Sequence, residues 1–116
     1  MMDKNSDYLI DKEGGIRRTG GDYELYQELM DLFFEQSEQQ IKALDEAIKN
    51  KQALSIRDLA HSIKGAAGNL GVNQVQQTAT VLEQIGSESE LDRAEETYST
   101  LKLEIDRVKD YWKNEG

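Results

Sequence analysis

The chain has no cysteine, no proline, a single histidine and a single tryptophan. Without cysteine there is no disulfide framework, no thiolate nucleophile and no sulfur-ligated metal. Without proline nothing forces a break in helical structure except glycine, and apart from the last residue, Gly116, the glycines gather at 14–15, 20–21, 65–71 and 86. Long apolar runs are missing too. The longest are a few residues, against the roughly 20 needed to span a bilayer, and no apolar signal core marks the N-terminus. The chain therefore reads as cytoplasmic, with no membrane contact. Positive charge is scarce: 14 Lys and Arg stand against 23 Asp and Glu, for a formal net charge of −9. Nucleic acid is excluded as a partner on this ground, because binding a phosphate backbone needs a basic surface.

What is present is a chain of helix formers, which predicts an all-α protein. Its 116 residues have the size of one domain, 1–116, with a core at about 20–113. Residues 1–7 are polar and read as loose, and a short helix is expected within Asp7–Arg18, interrupted at Gly14-Gly15. Asp22, after two glycines, is a good N-cap for a long helix reaching about Lys49. Apolar residues recur along it at Leu25, Leu29, Leu32, Phe33, Ala43, Leu44 and Ala47, with the polar Gln36 and Gln40 filling the turns between. A second stripe, Met30, Phe34, Ile41 and Ile48, lies roughly 100–140° round, so this helix touches two neighbours, or one neighbour and a partner, and Met30, Phe34 and Ile41 read as core rather than docking surface. Asn50–Gln52 makes a turn. A helix from Ala53 to Leu70 follows, closed by Gly71 as a C-terminal cap. Asn73 reads as the next N-cap, of a helix carrying Val75, Ala79, Leu82 and Ile85 and ended by Gly86. The last helix, about Glu90 to Lys113, carries Leu91, Ala94, Tyr98, Leu101, Ile105, Val108 and Trp112. Short loops between amphipathic helices predict an antiparallel up-and-down four-helix bundle with a short N-terminal helix.

The histidine lies in Ala60-His61-Ser62-Ile63-Lys64-Gly65-Ala66-Ala67-Gly68-Asn69-Leu70-Gly71. Glycines inside a helix each cost about 0.8–1 kcal/mol relative to alanine, so their presence here asks for a reason. At about 100° per residue, Arg57, Lys64, Gly65 and Gly68 fall within roughly 60° of His61. Ile56, Leu59, Ile63, Ala66 and Leu70 take the opposite side. The imidazole thus projects from the polar face. Arg57 and Lys64 make a basic spot around it, partly offset by Asp58, and bare positions at Gly65 and Gly68 admit another surface. Imidazole nitrogen is nucleophilic near neutral pH, and Lys64 offers a cation to an incoming anion. Together they describe a site for a phosphoryl group. The same glycines would also serve as close-packing positions between helices.

This run resembles the histidine-containing phosphotransfer (HPt) domain of two-component phosphorelays. The core motif of that family is a His, a Lys three positions on, then Gly and further small residues; here these are His61, Lys64, Gly65 and Gly68. Gly20-Gly21-Asp22 with Leu25 and Phe33-Phe34 is similar to the opening of the family's long helix, and Leu82-Glu83 to the helix after the histidine. The resemblance spans roughly residues 10–112. It implies that His61, at Nε2, accepts a phosphoryl group from the aspartate of a response-regulator receiver domain and passes it to another receiver. Lys64 would hold phosphate oxygens, while Gly65 and Gly68 would let the receiver settle against the helix. Mg²⁺ is expected on the receiver, and no cofactor on this chain. Relatives of the chemotaxis-kinase type have a glutamate that hydrogen-bonds the histidine, and others a glutamine. Counted from the Gly71 reversal, His61 lies ten positions back and Glu83 twelve on, so Glu83 is the candidate for orienting the imidazole through Nδ1.

No glycine-rich phosphate loop follows a strand, so no autokinase activity is expected. The chain would be a covalent phosphocarrier, free-standing or the C-terminal part of a hybrid sensor kinase, and a monomer. The alternative is a non-transferring helical adaptor that binds receivers, against which the intact His61 and Lys64 argue. No metal site is expected: one histidine without cysteine would need carboxylates to complete it, and Asp58, three before His61, stands alone.

Overall fold

The computed structural model describes residues 9–115. Among these the helices are α1 (Lys12–Arg18), α2 (Tyr23–Lys49), α3 (Ala53–Leu70), α4 (Asn73–Glu88) and α5 (Ala94–Glu115), with a 3-10 turn at Leu91–Arg93. The Asp22 carboxylate accepts the Leu25 backbone N–H at 3.2 Å to start α2, and Asp11 accepts that of Gly14 at 3.1 Å to start α1. The stops of α1 to α4 share one device. A residue with positive φ (Gly20, Lys51, Gly71 or Ser89) reverses the chain. The next N–H then bonds the carbonyl five residues back: Gly21 to Ile16, Gln52 to Ala47, Val72 to Ala67 and Glu90 to Ile85, at 2.8–3.0 Å.

Gly71 is the cap expected from sequence, at φ 83°. Other boundaries differ. α4 runs past Gly86 to Glu88 and stops at Ser89. Gly86 is buried within the helix, where a Cβ would lie 2.6 Å from the Arg57 nitrogen and 2.8 Å from the Ala53 carbonyl oxygen. The missing side chain lets α4 press against the first turns of α3. α1 likewise continues through Gly14 and Gly15. Gly15 sits against the Leu70 carbonyl and the Tyr26 ring, so it serves contact rather than interruption. The loose start at 1–7 and the reach of this helix back to Asp7 lie outside the described residues. Asn73 is the first residue of α4, with Val72 at the cap, and α5 begins after the 3-10 turn rather than at Glu90.

α2 packs on α3, α3 most extensively on α4, α4 on α5, and α5 back on α2, while α1 lies against α2 and α3. With 27 residues at about 1.5 Å each, α2 spans nearly the whole 42 Å length of the molecule. Its core face takes in the second stripe at Met30, Phe34 and Ile41, as expected from sequence, and only part of the first. Tyr26, Met30, Phe33, Phe34, Ile41, Leu44 and Ala47 are buried, whereas Leu25, Leu32 and Ala43 are exposed and Leu29 is half-buried. Because α3 and α5 both cover α2, its buried arc is centred between the two stripes, and the outer edge of the first is left in solvent. Trp112 is buried, meeting the Tyr26 ring edge-on at 5.9 Å, and Tyr98 and Tyr111 pack at the margin of the core. Among the described residues no helix is long and apolar enough to cross a membrane.

Candidate functional site

α3 and α4 turn back on each other through Gly71-Val72, so residues at similar distances from the reversal come level. His61 and Glu83 do: Nδ1 lies 2.7 Å from Glu83 Oε2. The other carboxylate oxygen, Oε1, takes the Lys64 ammonium at 2.7 Å. One carboxylate thus bridges ring and ammonium. The His61 side chain is 68% exposed, Lys64 30% and Glu83 21%; the ring stands out while the carboxylate is set down between the helices.

The hydrogen bond from Lys64 holds the Glu83 carboxyl below the usual carboxylate range, opposed by partial burial and reinforced by His61. Glu83 is therefore an anion near neutral pH and can only accept. With Nδ1 donating to it, the neutral ring carries its lone pair on Nε2, which points away from Glu83. Histidine, ammonium and carboxylate together make an outward-facing nucleophile with a fixed tautomer.

The motif glycines differ in their surroundings. A Cβ on Gly65 would meet nothing within 4 Å, so this position is open. A Cβ on Gly68 would lie 2.6 Å from Gln76 Nε2; the space that Gly68 leaves is filled from α4 by a carboxamide. Arg57, one turn before His61, bonds the Asp58 carboxylate at 3.0 and 3.1 Å rather than Glu83.

The histidine helix is anchored at its end. Three successive carbonyls are bonded from outside: Asn69 by Arg18 Nε at 3.1 Å, Leu70 by the Tyr26 hydroxyl at 2.7 Å and Gly71 by the Asp11 N–H at 2.8 Å. On its flank Gln40 donates to the Ser62 hydroxyl at 2.9 Å. Nearby, Leu29, Leu32, Gln36, Ala66 and Asn69 line a shallow cavity of about 120 Å³. This surface was not singled out in the sequence because its leucines share one apolar stripe with Phe33, Leu44 and Ala47. The signal was Gln36 and Gln40, which share the helical arc of Leu25, Leu29 and Leu32 and mark it as leaving the interior. Among the described residues no group of three or more His, Cys, Asp and Glu could hold a metal ion.

These features define a class: an all-helical protein that presents one imidazole to solvent, braced by a carboxylate on its inner nitrogen and followed one turn later by an ammonium. Residues 28–111 match the family model of the Hpt domain, and the chain belongs to that family. Hpt domains are phosphocarriers, so its role is phosphotransfer in a phosphorelay. The fold is similar to the crystal structure of histidine-containing phosphotransfer protein B (HptB) from Pseudomonas aeruginosa PAO1. The TM-score is 0.85 and the identity 26%, over 92% of this chain and 93% of that one. No curated protein matches the chain in sequence.

Proposed function

We propose that His61 takes a phosphoryl group from the aspartyl phosphate of one response-regulator receiver domain and passes it to the aspartate of another. The observation that carries this is the Nδ1 to Glu83 bond at 2.7 Å on a largely exposed ring, which leaves Nε2 as the free nucleophile. In the step itself the Nε2 lone pair attacks phosphorus, an N–P bond forms, and the bond to the aspartate oxygen breaks with its electron pair leaving on the aspartate carboxylate. Glu83 keeps the Nδ1 proton and offsets the positive charge that develops on the ring. Positioning is most of what such a transfer asks of the acceptor. Mg²⁺ held by the receiver would offset charge on the phosphoryl oxygens, and this chain brings no cofactor of its own.

Lys64 lies one turn from His61 and would bond the phosphoryl oxygens. Gly65 keeps the approach open, and the exposed leucines Leu25 and Leu32, with half-buried Leu29 and Ala66, form an apolar surface for the receiver. The long helices form an antiparallel up-and-down bundle in this reading, because the links Asn50–Gln52 and Gly71-Val72 are long enough only for reversal. The chain acts as a monomeric carrier without autokinase activity, free-standing or within a hybrid sensor kinase.

Incubation with a ³²P-labelled phosphorylated receiver tests the reading. Acid-labile label is expected on the wild type and not on His61→Gln. Receiver binding without label on either would mark a non-transferring adaptor instead.

A further inference from the structure

Resting on that reading, we propose that Glu83 also sets how long the phosphoryl group stays on His61, by competing with it for Lys64. Two basic side chains flank His61 along α3, and Arg57 is already bonded to Asp58. Lys64 is the cation left for the phosphoryl group, yet its ammonium lies 2.7 Å from Glu83 Oε1 and its side chain is turned inward, 30% exposed. His61, Lys64 and Glu83 together are neutral when the ring is neutral. A phosphoryl dianion arriving on Nε2 meets an ammonium whose charge is largely balanced, together with a second anion held against the far side of the same ring.

Both effects weaken the hold on the group. A relay intermediate has to release what it accepts, and a bridging carboxylate gives that property to a site that already contains a lysine. A carboxamide at position 83 separates the two roles of Glu83. Its oxygen accepts the Nδ1 proton as before, but its amino end, itself a donor, has no attraction for the ammonium. Lys64 is then released to the phosphoryl oxygens. Glutamine in place of Glu83 should therefore lengthen the lifetime of the phosphohistidine, and the gain should depend on Lys64.

The test loads wild type, Glu83→Gln, Lys64→Ala and the double variant with phosphoramidate, a chemical donor that needs no partner protein. Decay is followed by ³¹P NMR as water attacks phosphorus, the N–P bond breaks with its electron pair returning to Nε2, and inorganic phosphate leaves. ¹⁵N shifts of the unloaded ring report its tautomer. In Glu83→Gln the tautomer should be unchanged and decay slowed by about tenfold, the order expected for removing one unit charge several ångströms away near the surface. In Lys64→Ala decay should be faster than in wild type, and in the double variant the gain should be smaller than in Glu83→Gln alone, because only the repulsion by the second anion is then relieved. Equal decay in wild type and Glu83→Gln would overturn the proposal. So would a gain undiminished when Lys64 is alanine, or a Glu83→Gln protein that fails to load while the wild type loads. Failure of the wild type to carry phosphate on His61 is a different result, and it would count against the acceptor role itself.

Discussion

A glutamate that bonds two donors at once has a titration of its own. The Glu83 carboxyl is held below the usual range first by Lys64, against partial burial, and then by His61. A depressed carboxyl contributes stability that is present above the ordinary glutamate pKa of about 4.3 and is lost as the pH falls through the lowered value. The bridge from His61 to Lys64 should therefore survive throughout the neutral range. A ¹³C titration of the Glu83 carboxyl checks this: its midpoint should lie below that of an ordinary glutamate and move up in Lys64→Ala. No movement would mean that Lys64 is not its main partner. Tyr26 shows the opposite sign. Burial, with a smaller contribution from Asp11, pushes its phenol up to about 12. The neutral phenol thus contributes stability fully present below the unfolded tyrosine value of about 10 and lost as the pH rises toward the folded value. Spectrophotometric titration should find a tyrosine that ionises at about 12, and Tyr26→Phe should remove that step. That variant leaves the Leu70 carbonyl without its bond, at an expected cost of about 1–2 kcal/mol in denaturant unfolding.

At the scale of elements, stability depends on how closely helices can approach and how they stop. Gly86→Ala sets a methyl group against the backbone of α3, and the overpacking should cost about 1–3 kcal/mol despite the better helix propensity of alanine. Ser89 occupies the left-handed region at φ 56°, where glycine is free of the steric penalty, so Ser89→Gly should raise stability by about 0.5–1 kcal/mol. Chemical denaturation of both variants distinguishes a close-packing Gly86 from one that merely ends a helix, since the latter would tolerate alanine. Much of this layer was legible in the sequence. Asp22, the end at Leu70 and the Gly71 cap announce themselves because side-chain oxygen acceptors and glycine are the residues such termini favour. The true end of α4 was hidden because Ser89 performs a turn usually given to glycine, while Gly86 offered a false stop. The core role of Met30, Phe34 and Ile41 could be read from their spacing, whereas the exposed edge at Leu25, Leu32 and Ala43 could not, because two covering helices centre the buried arc between the stripes. The meeting of His61 with Glu83 could be read by counting from one reversal. The bond between Lys64 and Glu83, and the Gln76 carboxamide over Gly68, depend on side-chain paths between helices that periodicity does not describe.

The molecule as a whole is strongly acidic, at −9, and exposed Leu25 and Leu32 with half-buried Leu29 form one apolar edge of α2, of which Leu29 and Leu32 line a shallow cavity against Ala66 and Asn69 of α3. Docking that uses this edge makes a definite demand. Leu32→Glu should leave the melting temperature nearly unchanged, because the side chain is 44% exposed, yet slow transfer from a phosphorylated receiver by tenfold or more, the order of a lost apolar contact at an interface. Gly65→Leu should do the same by filling the open position beside the ring. Unaltered transfer in both variants would move the docking surface elsewhere. The most direct measurement is made on the loaded protein: ¹⁵N-labelled chain phosphorylated by a receiver, with the ³¹P to ¹⁵N coupling assigned to a ring atom. The expected result is one phosphoryl group on Nε2 of His61, with Nδ1 still protonated toward Glu83. Phosphate on Nδ1, or on any residue other than His61, would contradict it.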